Sequence, residues 1–115
     1  MDSSKDIAAL SDLSKVDLFA RLGGELTATD IGGASEDRPA QIAQGKAWFR
    51  SRKTNLQKAI CPEVNRFSAK VRTDTVALVA AIADLIVSIC AGVSPITVAA
   101  LCVKYGLDRL CEEGS

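Results

Sequence analysis

A chain of 115 residues with 14 basic and 14 acidic side chains is formally neutral, which removes any global electrostatic case for a nucleic-acid partner. It has the length of one domain, so residues 1–115 are read as a single unit. It contains no histidine, which excludes Ser-His-Asp and Cys-His nucleophiles and histidine zinc ligands.

Residues 1–10 carry a short helical pattern, Ile7, Ala8 and Leu10 after Ser3 or Ser4, that is expected to fray. Residues 12–22 form a better amphipathic helix. Leu13, Val16, Phe19 and Leu22 fall at helical spacing, with Asp12, Lys15, Asp17 and Arg21 filling much of the other side. Ser11 or Asp12 is placed to cap it, and Gly23-Gly24 is expected to stop it. Residues 23–37 then read as a long acidic, Gly-rich loop, pinned by Leu26 and Ile31.

The next helix starts at Asp37 as cap, with Pro39 in its first turn, and runs to Cys61 before Pro62. Ile42, Phe49, Leu56 and Ile60 make its apolar stripe, and Gly45 allows a close approach by the central helix. Residues 62–72 hold a short helix with Val64, Phe67 and Val71 inward.

The central helix is residues 74–91, DTVALVAAIADLIVSICA, apolar on every side. Such a helix is the middle of a bundle or a membrane span. A span needs about 20 apolar residues, and a carboxylate at mid-bilayer costs about 2.5–3.5 kcal/mol on the insertion scale. Asp84 in the middle of the run therefore favours a protein core, and a stable span is not expected. In that core Asp84 either lies on a narrow solvent edge with Ser88 or pairs with a basic residue of the 38–61 helix. In the second case it is a buried polar residue that fixes register. Gly92 ends this helix. Ser94 caps the next, with Pro95 at its first position, and Gly106 closes it against Cys102 in a left-handed turn. A last turn packs Leu107 and Leu110. The expected fold is an all-α, compact bundle of four to five helices around residues 74–91.

Charge is unevenly spread. Residues 38–72 hold nine basic groups and one acidic one, a net +8, between acidic blocks of −5 (residues 1–37) and −3 (residues 73–115). Lys46, Arg50, Lys53 and Lys58 fall along one helix, with Arg52, Arg66 and Trp48 near them. Such a patch binds phosphates or a protein partner, or faces the chain's own acidic segments.

Cys61, Cys90, Cys102 and Cys111 show no paired zinc spacing. The opening MDSSKDIAAL has no secretory pattern, so a cytoplasmic chain with free thiols is the default, while four cysteines allow three full pairings. There is no phosphate loop, no recognisable catalytic constellation and no cofactor motif, so neither catalysis nor a cofactor is expected. The resulting expectation is a small intracellular accessory or adaptor domain that binds another protein or itself, as a homodimer. Its interaction surface is Lys46, Trp48, Arg50, Arg52, Lys53, Lys58 and Arg66. Two alternatives stand beside it: a membrane-associated or conformationally switched protein using residues 75–103, and a nucleic-acid accessory factor using the basic 46–72 face.

Overall fold

Residues 3–28 and 38–112 are described by the computed structural model, and they form seven helices. These are α1 (Ser3–Ser11), α2 (Lys15–Ala28), α3 (Arg38–Val64), α4 (Ala69–Thr73), α5 (Thr75–Ile86), α6 (Pro95–Tyr105) and α7 (Leu107–Glu112). The expected all-α bundle is the fold of the chain. Its four longer helices are α2, α3, α5 and α6.

Local chemistry sets several boundaries. Asp74 caps α5, its Oδ1 accepting from the N–H groups of Val76 and Ala77 at 3.1 and 3.3 Å. Ser94 caps α6 by accepting from Thr97 N–H at 3.4 Å, with Pro95 at the start of the helix. Gly106 takes φ +103°, and its N–H bonds to Cys102 O at 3.1 Å. A Cβ disfavours that backbone region.

Other boundaries depart from the expectation. α2 does not stop at Gly23-Gly24 but continues to Ala28, because α3 packs directly on it. A Cβ on Gly23 would overlap the Gln41 carbonyl, and a Cβ on Gly45 would overlap the Phe19 carbonyl. Two bare glycine backbones thus let α2 and α3 approach closely, and this contact outweighs the ~1 kcal/mol that a helical glycine costs relative to alanine. Gly45 faces α2, not the helix at 75–86. The remainder of the expected acidic loop, residues 29–37, lies outside the described residues, as does Asp37 as a cap.

The register of α2 also differs. Ser14 caps it, accepting from Asp17 N–H at 3.1 Å. Leu18 and Leu22 are fully buried, while Val16 is 47% exposed. α3 runs through Pro62 to Val64. Near a helix C-terminus the ring removes one hydrogen bond without ending the last turn. Val64, Phe67 and Val71 do pack against the core, but from the end of α3, a turn and α4 rather than from one short helix.

α5 ends at Ile86, five residues before the expected Ala91. Residues 87–93 turn through bonds from Ile89 to Ile86, Cys90 to Val87 and Val93 to Cys90, and Gly92 sits at φ +84°. This reversal brings α6 back against α5. The helix buried on every side is α6, in which six consecutive residues, Thr97–Cys102, are buried. α5 and the turn that follows it keep an open edge at Asp84, Val87 and Ser88. Among the described residues no helix is long and apolar enough to cross a membrane.

Two cross-links complete the frame. Cys61 and Cys111 form a disulfide between α3 and α7, with Cα atoms 5.7 Å apart. Gln57 Nε2 donates to Leu110 O at 2.8 Å beside it. The expectation of free thiols fails for this pair, because helix packing brings together two cysteines 50 residues apart. Cys90 and Cys102 remain free and buried.

Candidate functional site

The basic residues of α3 do not form one face. At 100° per residue the buried stripe Gly45, Phe49, Leu56 and Ile60 divides them. Lys46, Arg50 and Lys53 lie on one side of it. Trp48 and Arg52 lie on the other, with the Arg52 guanidinium 5.9 Å from the Trp48 ring. Lys58 points outward, away from both groups. Arg66 follows the helix, largely exposed, and pairs with Glu63 at 3.6 Å. Trp48 is half-buried against the core and does not stand among the lysines.

The first group lines a groove. Lys46, Arg50 and Lys53 border it together with Phe19, Phe49 and Tyr105, around a volume of about 380 Å³. Phe19 meets Phe49 edge to face at 5.8 Å, and Phe49 meets Tyr105 at the same distance. The three rings come from α2, α3 and the last residue of α6, so the groove exists only where these helices meet. Lys53 Nζ donates to the Tyr105 hydroxyl at 3.1 Å.

More cations gather on these rings. Lys53, Arg109 and Lys15 stand 5.2, 5.1 and 5.8 Å from the centre of Tyr105, and Lys46 stands 6.0 Å from that of Phe19. The ring quadrupole attracts each of them. Four positive side chains thereby stand over two of the three rings, and Arg50 borders the same groove. Among the described residues no carboxylate lies within ion-pair distance of Lys46 or Arg50. Such an arrangement presents a converging positive surface. Other grooves lack this convergence of charge. One, of about 310 Å³, is lined mostly by Val64, Phe67, Leu78, Val103 and Leu107. Another, of about 490 Å³, is lined by Ala9, Leu10, Leu13 and Ile96 with Arg21.

Sequence reasoning picked out Lys46, Arg50 and Lys53 but missed Lys15, Phe19, Tyr105 and Arg109 as site residues. Lys15 reads as an ordinary polar position on its helix, and Tyr105 is 90 residues away from it. No local signal joins them.

Asp84 is exposed on α5. It therefore lies on the solvent edge with Ser88, and the buried pair with a basic residue of α3 is not formed. A polar link between α2 and α6 is made instead by Glu25. Its Oε1 accepts from Ser94 N–H at 2.8 Å, and its Oε2 from the Thr97 hydroxyl at 2.9 Å. Arg21 Nε stands 3.6 Å from the same carboxylate.

Burial pushes the thiol pKa of Cys90 up to about 11, with the Glu25 charge adding to the effect. Burial and then the neighbouring Cys90 push that of Cys102 up to about 12. Both thiols therefore stay protonated at neutral pH, the unreactive form. Among the described residues no group of three or more Cys, Asp or Glu side chains is placed to hold a metal ion.

Fold and groove together define a small helical-bundle domain with a cationic, aromatic-lined surface site. No protein-family model, curated protein or solved structure matches the chain.

Proposed function

We propose that this chain is a non-catalytic accessory or adaptor domain that binds another protein, and that the groove between α2, α3 and α6 is its docking site. The observation that carries the reading is the gathering of Lys46, Arg50 and Lys53 on one aromatic-lined groove. Arg and aromatic side chains are the usual anchors of protein interfaces. Charge complementarity would select an acidic segment of the partner. A nucleic-acid reading calls for a longer basic stripe, and the divergence of Arg52, Lys58 and Arg66 from the groove gives it less support. A compartment that tolerates the Cys61–Cys111 bridge is an oxidising one, so the bridge favours such a location over the reducing cytoplasm.

The test compares the partners captured by the intact chain with those captured by a Lys46→Glu/Arg50→Glu/Lys53→Glu variant. An Arg52→Glu/Lys58→Glu variant controls for loss of charge elsewhere on α3. Unchanged helicity in circular dichroism qualifies each variant. The groove variant is expected to lose specific partners that the control retains. Identical sets of bound proteins from all three chains would sink the proposal. Size exclusion with light scattering on the same samples tests for the homodimer.

A further inference from the structure

Resting on the docking site just proposed, we infer that the groove recognises a phosphorylated side chain on the partner rather than a plain acidic segment. Three observations lead there. The first is charge. Lys46, Arg50 and Lys53 fall at i, i+4 and i+7 on α3 and border one cavity, and Lys15 and Arg109 reach the same Tyr105 ring. A carboxylate brings one charge and two oxygens, which the Arg50 fork satisfies alone. A phosphate monoester brings about −1.5 to −2 charges at neutral pH and three acceptor oxygens. It therefore engages Arg50 and the flanking lysines together.

The second observation is available partners. Lys46 and Arg50 have no carboxylate within ion-pair distance among the described residues. An arriving dianion does not have to displace an existing ion pair from them.

The third concerns what carries the phosphate. A nucleotide needs an open aromatic face on which its base can stack. Here Phe49 is only 4% exposed, and cations already stand over the rings of Phe19 and Tyr105. A phosphoryl group on a short side-chain stem makes no such demand. The volume of about 380 Å³ lies at the small end of ligand sites and has room for that stem beside the phosphoryl group. The source is thus a phosphorylated hydroxyl side chain of a protein.

Amide and side-chain NMR shifts of the full, oxidised chain, followed in low salt, test the assignment. The ligands are a phosphoserine peptide, the same peptide with phosphotyrosine, the same peptide with glutamate, and free adenosine monophosphate. At least one phosphopeptide is expected to bind tenfold or more tighter than the glutamate peptide, with shifts at residues 46–53 and Tyr105. Lys46→Gln/Arg50→Gln should weaken it at least tenfold without changing the glutamate peptide's affinity as much. Equal affinity for phosphorylated and glutamate peptides overturns the inference. So does an affinity unchanged in the Gln variant, or binding of adenosine monophosphate with none of either phosphopeptide. If groove reversal abolishes partner capture while the phosphopeptides bind no better than the glutamate peptide, this inference falls and the docking site stands. If a phosphopeptide binds as expected but partner capture survives groove reversal, the docking proposal falls instead.

Discussion

Glu25 of α2 accepts a hydrogen bond at 2.9 Å from the hydroxyl of Thr97, a residue of α6 with no exposed surface. The same carboxylate accepts Ser94 N–H at 2.8 Å, so one side chain satisfies polar groups at the start of the most buried helix. It also places negative charge at that helix's positive end. Replacing Glu25 by alanine leaves the buried Thr97 hydroxyl without this acceptor, at a cost of about 1–3 kcal/mol. Glu25→Gln keeps one acceptor oxygen and should lose less. Asp84→Asn, at an exposed position, should stay within about 0.5 kcal/mol. Urea midpoints of the three variants order them, and an Asp84→Asn loss as large as that of Glu25→Ala would contradict the assignment.

Adjacent glycines of α2 should respond with opposite signs. Gly23→Ala drives a methyl into the Gln41 carbonyl, and Gly45→Ala drives one into that of Phe19. Each forces the helices apart and should cost about 1–3 kcal/mol, as overpacking does. At Gly24 the nearest atom to an added Cβ is the flexible Gln41 side chain, 3.6 Å away. There the helix propensity of alanine should dominate, for a gain of up to about 1 kcal/mol. Thermal melts of the three single variants read the difference.

The Cys61–Cys111 bridge closes 50 residues of chain. On the chain-entropy model a loop of that length is worth about 4 kcal/mol. Reduction, or Cys61→Ser/Cys111→Ser, should lower the urea midpoint accordingly. It should also loosen α7, and with it Arg109 over Tyr105, so that anion affinity at the groove falls. A groove affinity indifferent to reductant would separate the bridge from the site.

The two buried thiols make a prediction about pH. Their folded-state pKa values are raised from 9.0 to about 11 and about 12, chiefly by burial. Above about pH 9 the unfolded chain releases these protons while the folded chain keeps them. The stability they contribute is therefore complete below that pH and is lost as pH rises toward 11 and 12. In urea titrations between pH 8 and 11, the intact chain should lose stability faster than a Cys90→Ala/Cys102→Ala variant. Parallel curves would show the thiols to be uninvolved. At pH 8 iodoacetamide should leave both thiols largely unmodified in the folded, oxidised chain.

The amino-acid sequence by itself determined the helical class, the cap at Ser94, the left-handed turn at Gly106 and the inward faces of Leu56, Ile60 and Phe49. These rest on local rules: side-chain capping, backbone freedom at glycine, and the 3.6-residue period. The tertiary structure decided what depends on a second helix. Gly23 and Gly24 read as a stop signal because a glycine's helical penalty is local, whereas the approach of α3 that overrides it is not. Asp84 and Glu25 are both single carboxylates in helical segments, and only the packing of α2 against α6 makes Glu25 the one that holds a buried hydroxyl. The disulfide joins residues whose partnership no spacing reveals. Lys46, Arg50 and Lys53 were visible as a charged stretch of one helix. Their separation from Trp48 and Arg52, and their convergence with Lys15, Tyr105 and Arg109, come from helix crossings, because side chains distant along the chain become neighbours only when the backbones that carry them are packed.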